Sequence, residues 1–231
     1  MDKEAGKKAA ALRAVEFVDN GMTLGLGTGS TAEYFINAIG NKVRSGWEIK
    51  GVATSEATAA QARGVGVDLI LPDETTEIDL AVDGTDEADP QLNLIKGGGG
   101  ALLREKIVAR AAKKFIVIAD KSKRVTSIGA FPLPVEIDPY CWALTISGIR
   151  ETFRDAGFGD AEIQMRAFQG NFTRSDGGHY IADCKLLKIE DPATLDAALK
   201  SIPGVIETGL FCAMADTIIY GDENGVSVES K

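Results

Sequence analysis

The chain reads as an α/β protein: a Rossmann-like, mostly parallel sheet sandwich with a second, smaller ferredoxin-like α+β domain. Three observations predict this. Short apolar runs recur through the first half, at "MTLGLG", "IKGVAT", "VDLIL", "DLAVDG" and "KFIVIAD", with helix-like patterns between most of them. Parallel strands buried on both faces read as continuous apolar runs, and strand–helix alternation builds such a sheet. Near "FPLPVEIDPYCW" the texture changes, as three prolines within eight residues mark a crossing between units, and beyond it the order of patterns is different.

Taken in order, "MDKEAGKKAAALRAVEFV" has small apolar residues at helical spacing between charges, and the five runs above supply the parallel strands. After Ala143 the pattern is a helix over 143–155, a strand around "AEIQMRAF", a turn at "RSDGGH", a strand at "YIADCKLL" and a helix following "EDP". The tail has strand-like runs around a "DENG" turn that return to the first domain. The expected boundaries are residues 1–130 with 204–231 for the Rossmann-like domain, and 131–203 for the small domain, which is expected to take part in oligomerisation.

Bulk properties narrow the function. The 231 residues are 45% hydrophobic and 26% charged, with 26 glycines and 7 prolines, the profile of a globular chain with a sizeable core. A net charge of -9 repels a phosphate backbone, so no nucleic-acid partner is expected, and any anion must be held by a local site. No apolar run approaches the roughly 20 residues of a membrane span, so no membrane partner and a cytoplasmic location are expected. Cys141, Cys184 and Cys212 are scattered without C-x-x-C spacing, which argues for reduced, structural thiols. With His179 as the single histidine, acid–base chemistry falls to carboxylates and lysines.

In such sheets, ligands bind beyond the carboxyl ends of the strands. Each unusual loop falls at one: "GTGST", "TSEAT", "DGTDEAD" and "DKSK". In "GLGTGSTAEYF", Gly27 and Gly29 permit close backbone approach and the amides of Ser30 and Thr31 open a helix, a phosphate cradle or a capped tight turn. It lacks the G-K-[ST] of a Walker loop, and Ala32 with no acidic residue near Ala53 departs from the dinucleotide fingerprint. "TSEAT" reads first as a helix N-cap, with Thr54, Ser55 and Thr58. Asp83 and Asp86 lie on a turn permitted by Gly84, where a surface turn or a Mg²⁺ or Ca²⁺ site are the ordinary readings. "KGGGGALLREK" is the least ordinary segment. Four ordered glycines cost about 1 kcal/mol each relative to alanine, which points to backbone needed where a side chain would block a ligand. Glu105 falls on the first turns of the following helix, where Arg104 and Lys106 read as solvated neighbours; Lys121 and Lys123 follow the next strand.

"GTGSTA", "TSEAT", "DGTDEAD", "KGGGGALLREK" and "ADKSK", in this order and spacing, with the tail "IPGVIETGLFCAMAD", resemble the type A ribose-5-phosphate isomerase family from about Gly25 to Tyr220. The resemblance implies interconversion of D-ribose 5-phosphate and D-ribulose 5-phosphate in the pentose phosphate pathway, with a sugar phosphate as partner, no metal and no organic cofactor, and a homodimer or homotetramer. It implies Glu105 as the catalytic base, with Asp83, Asp86 and Lys96 at the reacting end. Substrate would be bound by Thr28, Gly29, Ser30, Thr31, Gly84, Thr85, Gly97, Gly98, Gly99 and Lys123. Two departures stand out: Thr85 replaces the alanine of a "DGADE" pattern, and "RSDGGHY" replaces a turn like "TDNGNY".

That reading joins the carboxylates, the lysine and the glycines. Moving a carbonyl from C1 to C2 needs one group to carry a proton between adjacent carbons, others to manage the protons on O1 and O2, and a cation or amides to hold the enediolate. Three alternatives stay open at this point: a non-catalytic sugar-phosphate sensor, an amino-sugar-phosphate deaminase, and a metal-dependent phosphohydrolase using Asp83, Asp86 and Asp89. The acidic chain offers the first no basic helix-turn-helix, and the second would rely on the lone histidine.

Overall fold

Apolar strands too short to stand alone require cover on both faces, and the chain supplies it by alternating them with helices. The computed structural model describes residues 2–231. The first helix, α1 (Lys3–Val15), is capped by Asp2, whose side chain accepts from the Glu4 and Ala5 amides, and is followed by β1 (Thr23–Leu26), α2 (Ser30–Arg44), β2 (Lys50–Ala53), α3 (Glu56–Gly64), β3 (Asp68–Leu69) and β4 (Leu80–Asp83). Next come two short strands, β5 (Glu87–Ala88) and β6 (Leu94–Ile95), then α4 (Leu102–Ala111), β7 (Phe115–Asp120) and a 3-10 turn over Lys121–Lys123. The remainder is β8 (Leu133–Ile137), α5 (Trp142–Asp155), β9 (Glu162–Met165), the small hairpin β10 (Ala167–Phe168) and β11 (Asn171–Phe172), β12 (Tyr180–Lys185), α6 (Pro192–Lys200), β13 (Val205–Thr208), β14 (Leu210–Phe211), β15 (Thr217–Asp222) and β16 (Gly225–Ser230).

The chain divides into two compact units. The first holds residues 2–85, 104–124 and 213–231. Its seven-stranded sheet runs β16-β15-β7-β4-β1-β2-β3, parallel throughout except for β16. Every residue of β4 and β7 is buried, as strands covered on both faces require. The core joins Leu24, Leu26, Val82, Ile116 and Ile118 of the strands to Phe35, Ile36 and Ile39 of α2 and the alanines of α1. Small residues set how closely α1 sits on β15: a Cβ on Gly221 would lie 2.0 Å from the Gly6 carbonyl oxygen. The tail returns to this sheet as anticipated, with β15 parallel to β7 and β16 turning back at "DENG".

The second unit holds residues 86–103 and 125–212. Its four-stranded antiparallel sheet runs β13-β8-β12-β9, with α5 and α6 as the two connections, which is the βαββαβ order of a ferredoxin-like fold. A three-stranded sheet, β14-β6-β5, completes it. The core gathers Leu133, Val135 and Ile137 with Ile149 and Phe153 of α5, and Leu195 and Leu199 of α6.

The proline segment differs from its sequence reading. Residues 133–137 form the fully buried β8, paired on both sides, and the chain crosses between units at 124/125 instead. Pro134 can occupy a paired strand because its carbonyl still accepts from Gly209, at 2.7 Å, where its nitrogen donates nothing. The second unit therefore also takes in 86–103, 125–130 and 204–212, since β13 must pair with β8 to close the sheet.

Candidate active site

In the first unit, three loops at the carboxyl ends of β1, β2 and β4 meet around Thr28 and Asp83. Gly29 is the N-cap of α2 at φ 112°, a left-handed conformation that leaves the first turn without any side-chain cap. The amides of Ser30 and Thr31 open that 15-residue helix at the positive end of its dipole, and Glu33 lies in the same first turn. Ser30 is exposed and Thr31 half-buried.

Thr28 faces inward. Its hydroxyl lies 2.8 Å from Thr54 Oγ1, 2.9 Å from Ser55 Oγ and 3.2 Å from Thr58 Oγ1. Thr54 and Thr58 in turn donate to the carbonyls of Leu26 and Gly27, at 3.0 and 2.9 Å. Ser55 caps α3 by accepting from the Thr58 amide at 3.1 Å, so the N-cap reading of "TSEAT" holds, and the same cap fixes the first loop.

Asp83 ends β4 and is 3% exposed. Its Oδ1 accepts from the Thr28 amide at 3.0 Å and from the Gly84 amide at 2.7 Å. A Cβ at residue 27 would stand 2.1 Å from that oxygen, which explains the glycine there. Gly84 and Thr85 follow half-buried. Glu105 stands in the first turn of α4, 4% exposed, where the helix N-terminus favours a carboxylate. Lys106, read from sequence as solvated, is 8% exposed and so buried, whereas Arg104 does reach the surface and pairs with Glu56 at 2.9 Å. The helix is short and buried on more than one side, which a surface pattern could not reveal. Lys121 bonds Asp222 at 2.9 Å, and Lys123 closes the same 3-10 turn, half-buried.

In the second unit, Asp86 and the glycine run form one structure. Asp86 Oδ2 accepts from the Gly98 amide at 2.7 Å, and the Gly100 amide closes a turn onto the Gly97 carbonyl at 3.0 Å. Gly97 and Gly100 have φ of 105° and 81°, and a Cβ on Gly98 would lie 2.7 Å from Asp86 Oδ1. The amide of Gly98 is thus committed to Asp86, and the exposed Gly99 stands at the tip of the turn. Lys96 is 2% exposed, its ammonium 5.4 Å from the centre of the Phe211 ring and its amide bonded to the Gly209 carbonyl.

The structure therefore gives the two aspartates different partners, Asp83 the β1 loop and Asp86 the glycine turn. Asp89 is occupied by its own loop, accepting from the Gln91 and Asn93 amides. Among the described residues no three His, Cys, Asp or Glu side chains are grouped to hold a metal ion. Sequence reasoning missed Arg166 and Asp183, which flank the glycine turn; a lone arginine after an alternating strand, 68 residues from Gly98, gives no local signal.

A family model described as ribose 5-phosphate isomerase A (phosphoriboisomerase A) matches residues 50–225. The ribose-5-phosphate isomerase A of Nitrobacter hamburgensis is 48% identical over 228 residues, covering 99% of this chain and 98% of that one. A D-ribose-5-phosphate isomerase solved in complex with phospho-erythronic acid superposes with a TM-score of 0.93 at 38% identity, covering 100% of both chains. Ribose 5-phosphate isomerase from Plasmodium falciparum gives a TM-score of 0.94 at 33% identity over 99% of each.

Proposed function

Because the chain belongs to the ribose 5-phosphate isomerase A family and is an aldose–ketose isomerase, we propose that it interconverts D-ribose 5-phosphate and D-ribulose 5-phosphate through an enediolate with Glu105 as the base. The observation that carries this reading is a carboxylate, 4% exposed, in the first turn of the helix that follows the glycine run. Its position after a turn without side chains suits contact with reacting carbons.

In the proposed reaction Glu105 removes the proton from C2 of the open-chain aldose and returns it to C1, while the proton of O2 is passed to O1. The electron pair from the C2–H bond forms the C1–C2 double bond of the enediolate. Lys96 offsets the developing oxyanion charge, and Asp83 and Asp86 take part in ring opening and oxygen proton transfer. The phosphate is assigned to the uncapped start of α2 at Gly29–Thr31 and to Lys123, with Thr28 holding that loop in place. The backbone of Gly84, Thr85 and Gly97–Gly99 contacts the sugar. That a relative binds phospho-erythronic acid supports this reading, since its carboxylate is a planar anion like the enediolate.

We further propose that the reaction serves the pentose phosphate pathway in the cytoplasm, and that the chain assembles as a homodimer or homotetramer through the second unit. That unit leaves Tyr140, Leu144 and Phe168 83%, 73% and 71% exposed, and no helix among the described residues is long and apolar enough to cross a membrane. Light scattering on a sizing column checks the assembly, with a monomeric mass as the contrary result.

The direct test incubates EDTA-treated protein with ribose 5-phosphate and follows ketose formation, with Glu105→Gln alongside. Metal-free conversion is expected in the parent, with kcat lower by about 10²- to 10⁴-fold in the variant. A variant that keeps its kcat refutes Glu105 as the base.

A further inference from the structure

The glycine turn is held from outside. Its own bonds are few, Gly100 to Gly97 and Gly98 to Asp86, and four residues without side chains have no packing with which to choose one conformation. Arg166 supplies what is missing. It follows β9, where its amide bonds the Ile181 carbonyl at 2.8 Å, and its side chain reaches the turn. Nη1 donates to the Gly97 carbonyl at 2.9 Å and to the Gly98 carbonyl at 3.2 Å.

The other edge of the guanidinium is fixed by Asp183 of β12, with Nε donating to Oδ2 at 2.9 Å and Nη2 to Oδ1 at 2.5 Å. Both side chains are mostly buried, at 20% and 24% exposure. A planar fork with five donors is the only side chain that can engage a carboxylate on one edge and two successive carbonyls on the other. A pair that served only to join β9 to β12 would not need the second edge.

We propose that Arg166 is a positioning residue for the isomerisation: it fixes the peptide planes of Gly97 and Gly98, and thereby the face that the turn presents to substrate, while Asp183 orients it. Fixing those two carbonyls fixes the direction of the next amide in the turn, that of Gly99. The inference rests on the isomerase reading and extends it to residues that touch no substrate.

The test compares Arg166→Ala, Arg166→Lys and Asp183→Asn with the parent. Ketose formation from ribose 5-phosphate is measured with and without added guanidinium, and hydrogen–deuterium exchange is followed in the peptide spanning 94–102. For Arg166→Ala the expected result is a kcat lower by about 10- to 10²-fold with KM changed less than about threefold, partly restored by guanidinium, and faster exchange in that peptide. Arg166→Lys keeps a cation beside Asp183 but cannot reach both carbonyls, so it should fold and still lose kcat; it carries the test if the alanine variant does not fold. A kcat within about twofold of the parent, or unchanged exchange in the turn, overturns the proposal. A parent that leaves ribose 5-phosphate unconverted defeats the isomerase reading and the kinetic role together, and the exchange data then decide separately whether Arg166 orders the turn.

Discussion

Replacing Gly27 by alanine should damage catalysis through Asp83 without replacing any ionisable group. The backbone at residue 27 lies outside the left-handed region, so alanine is conformationally acceptable there and the whole effect is steric. The new Cβ would sit 2.1 Å from Asp83 Oδ1, 2.2 Å from Cγ and 2.6 Å from Cα. Reaching an ordinary 3.4 Å separation requires the carboxylate to retreat by about 1.3 Å, and because the backbone of Asp83 is crowded as well, the end of β4 must move too. The Thr28 and Gly84 amide bonds to Oδ1, 3.0 and 2.7 Å long, cannot both survive that shift. Overpacking of this kind costs about 1–3 kcal/mol, or roughly 2–12 °C in Tm for a chain of this size. Misplacement by about 1 Å of a group at the reacting end lowers kcat/KM by about 10²-fold. Gly40→Ala is the control, since its Cβ would meet Val65 at 2.5 Å far along α2, and helix propensity offsets part of the strain. It should lower Tm, if anything, and leave kcat/KM alone. If Gly27→Ala loses Tm but keeps kcat/KM within about threefold of the parent, the placement of Asp83 by the β1 loop is not what catalysis depends on.

Three further outcomes follow from the same geometry. Thr28→Val keeps the shape but deletes the hydroxyl shared with Thr54, Ser55 and Thr58, and should lower unfolding free energy by about 1–3 kcal/mol in urea titration; an unchanged midpoint would show the cluster to be dispensable. The Thr23 amide, and then Lys113, hold the Asp79 carboxyl below its usual range, so Asp79 stabilises the fold above the unfolded pKa of about 3.9 and loses that contribution as pH falls through the lower folded value. Asp79→Asn should therefore flatten the acid limb of Tm against pH, and an unchanged limb would count against the assignment. Burial pushes the Cys184 thiol up, so at pH 9 iodoacetamide should modify the exposed Cys141 and reach Cys184 only after unfolding, as read by peptide mass spectrometry; native labelling of Cys184 would contradict its burial.

Much of this protein was legible in the sequence because the signals are local. The five apolar runs became the parallel strands of one sheet, and the central β4 and β7, buried along their whole length, are apolar up to the aspartates that end them. The glycines of "GTGST" and "KGGGG" announced positions where side chains do not fit, and the positive φ of Gly29, Gly97 and Gly100 and the crowding at Gly27 and Gly98 give the reason. Glu105 was placed at the start of a helix by its spacing alone. Tertiary structure decided what depends on distant partners. The proline segment became a central strand because β12 and β13, contributed by later sequence, pair on either side of it. Lys106 was buried by elements that its own neighbours in sequence do not specify. Asp83 and Asp86, three apart and alike in sequence, were separated into a partner of the β1 loop and a partner of the glycine turn. Arg166 came to that turn across 68 residues because strand register sets Gln164 opposite Asp183 and so brings Arg166, two residues on, within reach of that carboxylate, and register is fixed by packing between strands, which no single stretch of sequence contains.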